Sequence, residues 1–323
     1  MKNKWIAGLF TAIFFVAAII LAPMVQAAYP EQSFELIVHA GAGGGSDTFA
    51  RTMAFILETE GIVKQKINVI NKTGGAAANA LNYLASKKGD PYVLMNFSSG
   101  PVGALGRGIS KAKFEDIVFL AEIIEDPILL FVLNTSPFKD LKGLVAYAKE
   151  NPNLLASGFA TVGGSEHIGT HRIEKAAGVQ FNKVGFGSGA ASATALLGGH
   201  LAFALGNVNE QMGQIEAGKI VPLGTLSEER IPFLPNVPTM REQGVNAIYQ
   251  QIRGFVAYKG FPDYARKFWQ DAFAKLAETK AFNEYIDKNY CVKQLKLGDA
   301  FKLDVAKQIE DADADLKTLG LKK

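Results

Sequence analysis

The sequence predicts an α/β protein of two domains, each built on a mostly parallel sheet flanked by helices. Three observations carry this expectation. Short apolar strands alternate with helical stretches from about residue 30 onward. Long glycine-rich turns join a strand to a helix at 41–47 and again at 158–167, in different parts of that series. Ligands of parallel α/β sheets sit at the C-terminal ends of strands, so one such turn per domain places two of them across a cleft.

In chain order, Phe34 to Val38 is a buried strand, and Thr48 to Glu60 a helix with Phe49, Met53, Ile56 and Leu57 on one face. Ser46 or Asp47 between them is the expected helix cap. Ile67 to Ile70 is a β-branched strand, the alanine-rich 76–85 a helix, and Tyr92 to Phe97 a strand ending in Ser98-Ser99-Gly100. Strands 119–124 and 128–133 flank Pro127, and a helix runs from Leu141 to Lys149. A strand at 154–157 leads into the second glycine-rich turn and a helix stopped by Gly178, with Ser165 its expected N-cap. Strands at 181–184, 201–205 and 220–225 alternate with helices at 190–197 and 208–217. After three prolines (Pro232, Pro235, Pro238), Gly254 to Tyr258 returns as a strand, and the chain beyond Pro262 is expected to be helical to its end.

Residues 1–27 form a secretory leader: Lys2 and Lys4, an apolar run from Trp5 to Ala22, then Val25-Gln26-Ala27 with small residues where a signal peptidase reads. Removal of two lysines leaves a net charge of +3 closer to zero, which argues against nucleic acid and against an electrostatic membrane surface. Cys291, the only cysteine, has no disulfide partner, so stability rests on a core that 48% hydrophobic residues can supply.

A strand, a glycine turn and a helix start direct backbone N–H groups and the positive end of a helix dipole at one spot, which suits an anion. A phosphate loop is excluded because Ser46-Asp47 stands where Lys followed by Ser or Thr is needed. A dinucleotide fingerprint fails at Ser46, where the sixth-position glycine belongs. Ser46, Ser165 and Ser188 lack the nucleophile elbow of a serine hydrolase. His167, His171 and Glu174 fall at i, i+4 and i+7 on one helical face, but Ile168 stands where zinc hydrolases carry glutamate. An exported hydrolase using Ser165, His167 and His171 remains the alternative from another class, and a ligand sensor for a receptor kinase a third. Phe97, Phe159 and Phe186 sit at strand ends, as core or as apolar cleft walls.

The ordered set Tyr29-Pro30-Glu31-Gln32, Gly43-Gly44-Gly45-Ser46-Asp47, Asn71-Lys72-Thr73-Gly74-Gly75-Ala76 and Gly89-Asp90-Pro91-Tyr92 resembles the solute-binding proteins of tripartite tricarboxylate transporters, the Bug or TctC family. Gly163-Gly164-Ser165-Glu166-His167, Leu196-Leu197-Gly198-Gly199-His200 and Leu234-Pro235-Asn236-Val237-Pro238-Thr239 continue it across nearly the whole chain. The resemblance implies a type II-like periplasmic binding protein with a ligand cleft between lobes, 28–130 plus 254–323 as lobe 1 and 131–253 as lobe 2. It implies capture of a small carboxylic acid, di- and aromatic carboxylates included, by a monomer that hands it to integral-membrane permease subunits. No catalysis, cofactor or metal is expected. The ligand-binding residues it implies are Ala42, Gly43, Gly44, Ser46 and Asp47 from the first loop and Thr161, Gly163, Ser165 and His167 from the second. Ser98, Ser99, Phe186 and Asn207 join them from other strand ends. The chain departs from the family in His39-Ala40-Gly41-Ala42, where a proline is usual, and in Ser46 and Phe186, where threonine and tyrosine are common; these departures bear on ligand identity.

Overall fold

A computed structural model describes residues 29–320 apart from 161, 188 and 250. The expected leader, 1–27, lies outside the described residues. From Ser33 onward the chain builds two sheets. On one side of the first sheet, β1 (Phe34–Val38), β2 (Ile67–Asn71) and β3 (Val93–Phe97) pair in parallel. Their following helices are α1 (Gly45–Thr59), α2 (Ala78–Ser86) and α3 (Ser99–Gly106). β4 (Ile117–Asp126) then crosses to the second sheet, where β5 (Ile128–Leu133) begins after Pro127.

That second sheet alternates β5 with α4 (Leu141–Glu150), β6 (Ala156–Phe159), α5 (Ser165–Ala177), β7 (Asn182–Gly185), α6 (Gly189–Leu197), β8 (Phe203–Asn207), α7 (Val208–Glu216) and β9 (Ile220–Thr225). The chain returns through β10 (Gln251–Tyr258) to α8 (Asp263–Glu278), α9 (Lys280–Asn289), β11 (Val292–Leu297) and α10 (Asp299–Thr318). The strand orders are β11-β4-β10-β3-β1-β2 and β7-β6-β8-β5-β9.

The α/β class is as the sequence predicts, but both sheets are mixed. Strands that open or close a crossing (β4, β5, β10) pair antiparallel with their neighbours, while the βα repeats stay parallel. Helices cover both faces, so the central strands are largely apolar, as in Val93-Leu94-Met95-Asn96-Phe97, every residue of which is buried and only Asn96 polar. Ile37, Met95, Phe97, Phe119 and Val256 belong to the first core; Ile128, Leu130, Phe203 and Leu205 belong to the second. α10 joins both: Phe301 and Val305 pack in the first core, Ala312 and Leu316 in the second.

The expectation of helix from Pro262 to the end is corrected by β11. Its six residues alternate between half-buried and exposed along an edge, and three of the six are Lys or Gln, so it carries no apolar run to betray it. α3 was also unforeseen, because Ser99-Gly100-Pro101-Val102-Gly103-Ala104-Leu105-Gly106 holds three glycines and a proline.

Candidate functional site

The two glycine-rich loops fold alike. In the first, Gly43 takes a left-handed backbone (φ +80°) that favours glycine, and Gly44 is the extended N-cap of α1 with no side-chain cap. Ser46 and Asp47 therefore lie inside the first turn rather than capping it, which corrects the cap assignment. In the second, Gly163 (φ +75°) precedes Gly164, the N-cap of α5, and Ser165 is the first helical residue rather than the cap.

In each loop the third helical side chain reaches back to the left-handed glycine. Gly43 N–H donates to Asp47 Oδ2 at 2.9 Å, and Gly163 N–H donates to His167 Nδ1 at 3.0 Å. Asp47 also accepts from Arg51 Nε at 3.0 Å and Asn71 Nδ2 at 2.8 Å. Burial alone would raise its carboxyl, but these hydrogen bonds outweigh it and hold the pKa below the ordinary carboxylate range. His167 stacks on Phe159 with ring centroids 4.3 Å apart. Burial, with the charges of Lys183 and His171, lowers its pKa to about 4, so Nδ1 is the acceptor that Gly163 needs.

This leaves the first amides of α1 and α5 without intrahelical acceptors, at the walls of a cleft of about 440 Å³. Its lining includes Gly44, Ser46, Ser98, Ser99, Gly163, Ser165 and Asn207 from the sequence-derived set. Ala42, Gly43, Asp47, His167 and Phe186 do not line it. Ala42 and Gly43 are exposed at the loop tip, Asp47 and His167 brace the loops from behind, and Phe186 packs against the core of the second sheet. Thr161 lies outside the described residues. Phe97 and Phe159 are likewise buried away from the cleft, so of the two readings the core one describes them.

Sequence reasoning missed most of the polar centre. Arg253 on β10, only 6% exposed, donates to Asp126 at the end of β4 through Nε and Nη2, and its Nη1 reaches Ser46 Oγ at 3.1 Å. Burial opposes its charge, yet Asp126 more than compensates, raising its pKa. His39 Nε2 lies 2.9 Å from Ser98 Oγ and 3.3 Å from Ser46 Oγ. Burial and then Arg253 lower its pKa to about 4, so the ring is neutral. Cys291 Sγ donates to Asp126 Oδ1 at 3.1 Å, its thiol pushed up by burial and by that carboxylate. Of these residues the sequence marks only Arg253, which with Lys72 is a candidate charge partner of a ligand.

The second sheet contributes acids. Glu166, 7% exposed, follows Ser165 in the first turn of α5, and burial raises its pKa against hydrogen bonds from its own N–H, Ser165 and the Ala160 N–H. Glu210 keeps solvent contact while the cleft walls surround its carboxyl; burial, then Glu166, raises its pKa too. Asn207 Nδ2 and Gln251 Oε1 are buried without a partner among the described residues, and both residues line the cleft.

The Ser98–His39 contact is not a competent nucleophile pair. Its histidine is a weak base, and Asp126 is engaged by Arg253 rather than by His39. Nor do His167, His171 and Glu174 form a metal site: Gly163 N–H occupies His167 Nδ1, and Glu174 is held by Lys183 and by the Phe181 N–H at 2.7 Å. Among the described residues no three metal-ligating side chains come together.

Comparison with known proteins gives a consistent set. The model of the tripartite tricarboxylate transporter family receptor matches residues 50–309. A UPF0065 protein of the gbd 5′ region of Cupriavidus necator is 27% identical over 297 residues, 91% of this chain and 90% of that protein. Protein BugT of Bordetella pertussis is 27% identical over 236 residues, 72% of each. Among solved structures, a TctC solute-binding protein from Polaromonas without ligand is 26% identical, with a TM-score of 0.78 over 90% of this chain and 99% of that one. Two Rhodopseudomonas palustris structures share the fold. MatC with bound malate is 19% identical (TM-score 0.75, 89% of this chain and 100% of that one). A protein with adipate is 23% identical (TM-score 0.75, 90% of this chain and 98% of that one).

Proposed function

This chain belongs to the tripartite tricarboxylate transporter receptor family, a family of solute-binding receptors rather than enzymes, and we propose that it captures a small carboxylic acid in the cleft between its sheets. The observation that carries this reading is the pairing of two helix starts across one cleft, each with first-turn amides that lack intrahelical acceptors and its loop tied back by Asp47 or His167. A carboxylate accepts hydrogen bonds from such amides and is stabilised by the positive ends of the dipoles. Ser46, Ser98 and Ser99 add hydroxyls at the same walls. The malate and adipate held by two structural relatives suit this class of ligand.

On this reading the lobes divide at Pro127 and again ahead of β10, and they close over the ligand about those two crossings. The loaded, closed form is then the one that the membrane permease subunits of the transporter recognise, outside the cytoplasmic membrane, to which the leader would direct the chain. No step of chemistry is required.

Isothermal titration calorimetry of the protein without its leader, against mono-, di- and tricarboxylates and aromatic acids, tests the reading. At least one acid of the panel binds saturably, and Ser46→Ala with Ser98→Ala weakens it about tenfold or more. Absence of binding across the whole panel overturns it.

A further inference from the structure

The cleft is bipolar. Its first-sheet wall offers donors: the amides of Gly45 and Ser46, the hydroxyls of Ser98 and Ser99, and the guanidinium of Arg107. Arg253 adds little net charge there, because Asp126 already neutralises it. The opposite wall offers acceptors, in Glu166 and Glu210. Glu210 Oε2 stands 2.6 Å from the place where a side chain on Gly189 would begin, at the start of α6. An independent feature points the same way: the Oε1 of Gln251, a residue 7% exposed, is a buried acceptor with no donor among the described residues.

A second carboxylate placed against Glu166 and Glu210 would set acid against acid in an enclosed site, with no cation of the cleft lining between them on that wall. A protonated amine would supply N–H donors to both carboxylates and to Gln251 at once. We propose that the ligand is a zwitterion, a small acid whose carboxylate binds the Gly44–Ser46 turn and whose ammonium group binds Glu166 and Glu210. This assignment rests on the cleft being the carboxylate site, and it narrows the ligand class. The pKa values of both acids, raised by burial, return toward the ordinary range once a cation sits between them.

The test is a binding panel at pH 7 of matched three- to six-carbon ligands: monocarboxylates, dicarboxylates, and α- and ω-amino acids of the same length. At least one amino acid binds about tenfold or more tighter than both its matched acids, and Glu166→Gln and Glu210→Gln each cut that preference about tenfold. Glu210 is solvent-exposed, so its variant folds even if the buried Glu166 variant does not, and the wild-type comparison needs no variant at all. Monocarboxylates or dicarboxylates binding as tightly as the amino acids, or a preference unchanged in Glu210→Gln, overturns the zwitterion while leaving the carboxylate reading intact. Failure of every acid and amino acid alike overturns both.

Discussion

Asp47 and His167 hold the same place in the two halves of the cleft: each is the third residue of its helix and takes the N–H of the left-handed glycine four residues before it, at 2.9 and 3.0 Å. One side chain is an anion and the other a neutral ring, yet both take the loop amide of the glycine and not an amide of the helix itself. They are braces behind the cleft wall.

Asp47→Ala removes the acceptor for Gly43, Arg51 and Asn71 together. The expected cost is about 2–3 kcal/mol of unfolding free energy, since charged groups in partly buried hydrogen bonds lose their partner. Ligand affinity falls with it, because Gly43 is no longer held in its left-handed conformation. Urea unfolding and calorimetry on the same variant measure the two losses. A variant with full stability and weakened binding would instead make Asp47 a direct ligand contact.

The Arg253–Asp126 pair joins the two strands nearest the crossing, and both residues are almost wholly buried. Among the described residues Arg253→Met leaves Asp126 with only Cys291 and Gln251 as side-chain partners and is expected to cost about 3–5 kcal/mol. Arg253→Met combined with Asp126→Asn recovers more than half of that, because the stranded charge is gone. Denaturant melts of the single and double variants give the coupling directly; equal losses in both would show that packing, not charge, sets the cost.

Most of the fold was legible in residue pattern, because strands covered on both faces read as apolar runs and glycines mark where each run turns into a helix. What escaped lacked such a pattern. β11 is a lysine-rich edge, and α3 is glycine-rich. In the site, backbone amides could be foreseen from the glycine turns, whereas side-chain direction could not. Asp47 and His167 sit in the right motifs but point backward, and Glu210 and Gln251 enter the cleft from elements far apart in sequence. Cap positions slipped because Gly44 and Gly164, not the serines beside them, begin the helices.

Two sets of buried groups make stability depend on pH in opposite senses. His39 and His167 titrate near 4 in the fold against 6.5 when unfolded. Their contribution is complete above 6.5 and is lost as pH falls toward 4, because the unfolded chain binds protons that the fold excludes. Glu122 and Glu125 on β4 behave conversely: burial first, against the attraction of Lys296, raises them to about 8 and about 7 from 4.5. The fold then holds their protons, so stability falls as pH rises from 4.5 and levels off above about 8. Glu122 is 1% exposed and its Oε2 has no partner among the described residues. Glu122→Gln keeps the shape and removes the charge, so it is expected to gain about 1–3 kcal/mol at pH 8.5 and almost nothing at pH 4.5. His167→Gln removes part of the decline on the acid side and leaves the alkaline side unchanged. Thermal melts of the three proteins from pH 4 to 9 separate the two effects, and a Glu122→Gln profile parallel to that of wild type would mean that Glu122 is ionised throughout, with Lys296 as its counter-charge.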